Sequence, residues 1–116
     1  MQFDHEKMNV YRLAIQFQLQ VAQLTERLPK GKGYLTDQLN RAALSICLNI
    51  AEGAGEFSKK DKARFYRISK RSATECAAVI DVCDNLKLAD VSLLMDCRKS
   101  LISIVSMLIK LVKAMA

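Results

Sequence analysis

Val10, Ala14, Phe17, Val21, Leu24 and Leu28 follow one another at spacings of four, three, four, three and four. With about 3.6 residues per turn, such a row is one continuous face of an α-helix, and a strand, whose side chains alternate every second residue, cannot present it. A helix with a single apolar face must find other elements to cover it. The same period returns three more times along the chain, and the breakers fall between the repeats.

The first helix is expected from about Glu6 to Leu28, stopped by the chain's one proline, Pro29, and by the loop Pro29-Lys30-Gly31-Lys32-Gly33-Tyr34. Thr36 is read as the cap of a second helix, with Asp37 in its first turn. That helix carries Leu39, Ala42, Ala43, Ile46, Cys47, Ile50 and Ala51, and its end is placed at Gly53-Ala54-Gly55, with Gly53 as a left-handed cap. Ser58 followed by Asp61 resembles a capping box and opens a third helix, Lys59 to Leu86. Asp90 caps a fourth, from Val91 to near the C-terminus. Four amphipathic segments on short links predict an all-α fold, an antiparallel up-down-up-down four-helix bundle forming a single domain over residues 1–116.

Several classes are disfavoured. The opening MQFDHEKMNVYR is mixed and charged, unlike a secretion signal, and the near-apolar run Leu101 to Ile109 is too short for a bilayer, so a cytoplasmic protein is expected. Cys47, Cys76, Cys83 and Cys97 form no C-x-x-C pair; Cys76 and Cys83 lie roughly 10 Å apart along one helix face, beyond disulfide reach. Reduced core thiols are the expectation, with no metal and no cofactor. Catalysis is not expected either. The one histidine, His5, sits near the start, there is no phosphate-cradling Gly-rich loop, and Glu52, Glu56, Glu75 and Asp81 are scattered over two helices.

Charge is the informative departure. Residues 59–71 hold seven of the eighteen Lys and Arg but one of the twelve acids, a local +6 that equals the net charge of the whole chain. On a helical wheel Lys60, Arg64, Arg67 and Arg71 fall within about 60° and extend about 16 Å along the axis. Phe65, Ile68, Ser72, Cys76, Val79, Cys83 and Leu86 are assigned to the opposite, core side. Such a stripe suits an anionic partner, RNA or DNA first, so Lys59, Lys60, Arg64, Arg67 and Arg71 are the candidate nucleic-acid contacts. Lys30 and Lys32 are possible auxiliaries, and Tyr34 and Tyr66 the candidate stacking residues. The rival expectation is a protein-interaction scaffold whose stripe meets an acidic protein or a neighbouring copy's Asp81, Asp84 or Asp96.

From Leu101 to Ala116 only Ser103, Ser106, Lys110 and Lys113 are polar, which makes self-association the expected cover for the fourth helix. Arg41, Ser45, Asn49 and Glu52 form a polar line on the second helix; Ser45 and Asn49 stand among apolar neighbours and need hydrogen-bond partners if buried, whereas Arg41 can meet Glu52 or Glu75 only across helices or subunits.

Gln38-Leu39-Asn40-Arg41-Ala42-Ala43-Leu44-Ser45-Ile46, then Asn49-Ile50-Ala51-Glu52-Gly53, then Ser72 and Glu75 resemble the four-helix-bundle protein family encoded by intervening sequences in bacterial large-subunit (23S) ribosomal RNA genes, over about Phe3 to Val112. The resemblance implies a cytoplasmic bacterial homo-oligomer, typically a pentameric ring with basic surface, and a distant relative binds nucleic acid beside a reverse transcriptase in diversity-generating retroelements. By position it makes Arg41, Ser45, Asn49, Glu52 and Gly53 the signature, with an architectural role. Tyr11 replaces a common Trp, Arg71 a common Gly, and Glu56 a common basic residue. The last reverses a charge near the turn between the second and third helices; Arg71 adds to the stripe.

Overall fold

The computed structural model describes residues 1–116 as four α-helices, α1 (Asn9–Glu26), α2 (Gly33–Gly55), α3 (Lys59–Asn85) and α4 (Val91–Ala114), preceded by a short 3-10 turn, Asp4–Lys7. Cross-helix pairs fix the directions. Gln38, Ser45 and Ile46 of α2 bond Glu75, Ser72 and Ser69 of α3, and Lys62 reaches back to Gly53 and Ala54, so one helix ascends as the other descends. Gln18 of α1 donates to Ala43 O of α2, and Ser100 of α4 donates to Gln20 of α1. Each helix packs on its two neighbours around the ring and not on the diagonal one. The result is the antiparallel bundle.

Two helix ends match their sequence signals. Ser58 Oγ accepts the Asp61 amide at 3.0 Å, and Asp90 Oδ1 accepts that of Ser92 at 3.2 Å. Three ends differ. Helix α1 starts at Asn9, because extended backbone at Met8 separates it from the 3-10 turn, and it ends at Glu26, before Leu28. Helix α2 starts a turn earlier than Thr36: Gly33 opens it, the Lys32 carbonyl takes the amides of Leu35 and Thr36, and no side chain caps it. Its other end falls at Gly55, within the expected Gly53-Ala54-Gly55 stretch and followed by extended Glu56, but Gly53 itself is helical and buried and is not a left-handed cap. The glycine with positive φ is Gly31, at 90°, in the loop after Pro29.

The stop of α3 carries no glycine at all. Lys87 takes the left-handed conformation (φ 56°), its amide donates to Asp84 O, and the Leu88 amide donates to Cys83 O at 2.9 Å. This is a Schellman closure with lysine where glycine is usual.

One core runs through all four helices, from Phe17 and Leu24 through Leu39, Ile46 and Ile50 to Cys76, Cys83, Ile104 and Leu108. On α3 the buried face is Ala63, Tyr66, Ser69, Ala73, Cys76, Val79, Ile80 and Cys83. It is rotated from the expected set by roughly 60° on the wheel: Phe65, Ile68 and Ser72 are half-buried and Leu86 is exposed. Small residues explain the shift. Ala63, Ser69 and Ala73 of α3 and Ala42, Ala43 and Gly53 of α2 are all buried, Ser69 bonds the Ile46 carbonyl and Gly53 lies against Tyr66, and side chains of that size bring two helices close where bulky ones would hold them apart.

Candidate functional site

The α2–α3 seam sets how α3 presents its outer surface. Ser69, fully buried, donates to Ile46 O at 2.9 Å; Ser72 Oγ lies 2.8 Å from Ser45 Oγ; and Gln38 donates to Glu75. Asn49 Nδ2 donates to Ser45 O and Ser45 Oγ at 2.9 and 3.0 Å, which holds the serine hydroxyl toward α3. Lys62 donates to Ala54 O at 2.9 Å and Gly53 O at 3.4 Å, satisfying carbonyls at the negative end of α2. Gly53 has a tertiary reason to be glycine: an added Cβ would lie 2.7 Å from Tyr66 Cε1 and 3.2 Å from Lys62 O. Of the signature residues, Ser45, Asn49 and Gly53 thus build the seam. Arg41 and Glu52 are exposed, and within one chain neither forms an ion pair; Glu75 is engaged by Gln38 instead.

With α3 pinned on that side, Lys59, Lys60, Arg64, Arg67 and Arg71 all project as exposed residues. No carboxylate lies within ion-pair distance of any of them. The chain's one ion pair is Arg98–Asp81, at 3.5 Å between α4 and α3, both side chains largely solvated. Arg64 lays its guanidinium carbon 4.5 Å from the centroid of the Phe65 ring. Lys62 and Lys70, in the same charged window, are half-buried, and Lys62 is used by the α2 terminus.

The expected helpers fall elsewhere. Lys30, Lys32 and Tyr34 stand at the start of α2, at the opposite end of the bundle from Lys59, separated by roughly 33 Å of helix. Tyr66 is 3 % exposed, with its ring against Gly53, and cannot stack on a ligand. Sequence reasoning passed over Phe57, which lies in the link between α2 and α3 and is fully exposed (101 %). Its signal was its position: an aromatic two residues before the cations, in a link too short to fold back on itself.

A second exposed feature is apolar. Val91, Met95, Ile102 and Ile109 line the outer side of α4, and Ile15 and Leu19 of α1 are exposed, as are Leu44 and Leu48 of α2. Much of the rest of α4 finds cover within the bundle, since Val105, Met107, Leu111, Val112 and Met115 pack on the core.

All four cysteines are free and buried. Burial pushes the Cys76 thiol up to about 12 and those of Cys47 and Cys97 up to about 11, and raises Cys83 as well. They stay protonated at neutral pH, without the thiolate a nucleophile needs. No group of three His, Cys, Asp or Glu side chains is placed to hold a metal ion, and no helix is long and apolar enough to cross a membrane.

A family model described as 23S rRNA-intervening sequence protein matches residues 6–110. No curated protein matches the chain.

Proposed function

The chain belongs to the 23S rRNA-intervening sequence protein family, and from that premise we propose that it is a non-enzymatic, homo-oligomeric bundle that binds the backbone of RNA or DNA through Lys59, Lys60, Arg64, Arg67 and Arg71. One observation carries the reading: the chain's excess charge is concentrated on an exposed helix face where no carboxylate neutralises it. Five cations left to solvent on a well-anchored helix repel one another, and phosphates relieve that repulsion. Cations that meet phosphates position a ligand without reading its sequence, so binding is weakly sequence-specific.

Titrating a labelled RNA strand at increasing salt tests this. With four to five phosphates neutralised, log affinity falls against log salt with a slope of roughly −3 to −4.5. Reversing Lys60, Arg64, Arg67 and Arg71 to Glu abolishes retention while leaving the assembly intact. An affinity that ignores salt refutes the reading.

The exposed apolar rows on α4 and along α1 and α2 favour a second reading, an oligomeric protein-interaction scaffold without nucleic-acid contact. Under it, the same reversal dissociates the assembly. Light scattering during size exclusion separates the two and gives the copy number, five if the ring implied by the family resemblance forms.

A further inference from the structure

We propose that Phe57 is a stacking platform for an unpaired nucleobase, so that the stripe's ligand is single-stranded nucleic acid or an unpaired loop rather than a duplex; this rests on the nucleic-acid reading above. Phe57 leaves its whole ring in water. The link that carries it is tied at both ends: the Glu56 amide donates to Gly53 O at 3.2 Å, and Ser58 caps α3 through the Asp61 amide at 3.0 Å. An uncovered aromatic on a backbone held at both ends therefore stands two residues before Lys59 and three before Lys60, both exposed, with Arg64 one turn further along the stripe.

The two kinds of group divide the work. Cations meet phosphates on a single strand or a duplex alike. An aromatic face gains only from a base whose own face is free, and in a duplex neighbouring bases occupy both faces. Every base has such a face, so Phe57 adds discrimination by strandedness and little by sequence. Tyr66 is buried, Tyr34 stands at the far end, and Phe3, though exposed near the same end, is stacked on His5; Phe57 is the fully exposed aromatic that leads into the cations.

The experiment uses the full chain, a mixed-sequence single-stranded RNA without self-complementarity, and the same strand annealed to its complement, with affinities read by fluorescence anisotropy. Phe57→Ala is expected to weaken single-strand binding about tenfold and duplex binding by less than about twofold, with an unchanged salt slope because no cation is removed. Phe57→Trp is expected to restore affinity. Since the chain has no tryptophan, that variant also supplies a lone indole whose emission the single strand quenches and the duplex does not. Equal losses on both ligands, or none on the single strand, overturn the proposal, as does a change of molecular mass in Phe57→Ala, which would assign the ring to a contact between copies. If the wild type binds neither ligand in a salt-dependent way, the stripe reading itself fails first, and this one with it.

Discussion

The two polar faces of α3 are built on opposite terms. Toward α2, Ser69, Ser72, Glu75 and Lys62 each have a partner, and no buried side-chain polar atom in the molecule lacks one. Away from α2, Lys59, Lys60, Arg64, Arg67 and Arg71 have no carboxylate partner. Buried polar groups must be satisfied or they cost stability, whereas exposed cations cost little and remain available. One face therefore orients α3 and the other is free to act. The division predicts that substitutions on the outer face change binding at constant stability, and that those on the inner face change stability first.

The largest expected effect tests the outer face. Reversing Lys60, Arg64, Arg67 and Arg71 to Glu should cost at least about a hundredfold in nucleic-acid affinity at low salt. Replacing the same four by Gln should leave the urea midpoint unchanged or slightly raised, because surface charges removed from a like-charged row relieve repulsion. A Gln variant that unfolds readily would show that the outer face is structural after all.

Gly53→Ala tests the inner face with a prediction about sign. Helix propensity alone favours alanine by about 0.5–1 kcal/mol. The new Cβ, however, meets the buried Tyr66 ring at 2.7 Å and the Lys62 carbonyl at 3.2 Å, and overpacking of this kind costs about 1–3 kcal/mol. A net fall in Tm on the order of 5 °C is expected by calorimetry. A rise would mean that the seam yields easily.

Gly53 also marks the limit of what the sequence could say. A glycine near a helix end reads as a left-handed cap when only local rules are available, and its actual role depends on a ring thirteen residues away. The caps Ser58 and Asp90 were legible because capping is chemistry between close neighbours. The end of α3 near Leu86 was legible too, but the left-handed Lys87 that closes it was not, because the closure uses backbone bonds and a residue without a turn preference. The phase of α3 was misread toward Phe65 and Ile68 because hydrophobicity outweighs size in a wheel, whereas the packed pair selected small residues and one large ring. The stripe survived that error, since a face opposite the core stays outside when the core turns by about 60°. Phe57 escaped notice because a link has no period from which exposure can be inferred.

A smaller effect concerns pH. Thiols that ordinarily ionise near 9.0 are held protonated in the fold up to about 11 at Cys47 and Cys97 and about 12 at Cys76, and burial raises Tyr66 in the same direction. Unfolded chains lose these protons first. The folded state then binds more protons than the unfolded one, so the stability the thiols contribute is complete below about pH 9 and declines as pH rises through 11 to 12. Urea midpoints should be flat from pH 7 to 8.5 and fall above 9, and Cys76→Ala should shallow that fall. A midpoint that rises with alkaline pH would contradict the burial of the thiols.

The smallest effect is at the end of α3, where neither polar face reaches. Lys87 is held at φ 56°, where a side chain crowds its own backbone, by two bonds that would form equally well with glycine. The side chain is exposed, so replacing it forfeits no packing, and part of the gain is offset by the greater freedom of glycine in the unfolded chain. Lys87→Gly should stabilise the bundle by about 0.5–1 kcal/mol, visible as a higher urea midpoint at unchanged slope. Nucleic-acid affinity should not move, because Lys87 lies roughly 24 Å along α3 from Arg71; a loss of affinity here would extend the binding surface beyond the stripe and blur the separation between the helix face that binds and the parts that only hold it in place.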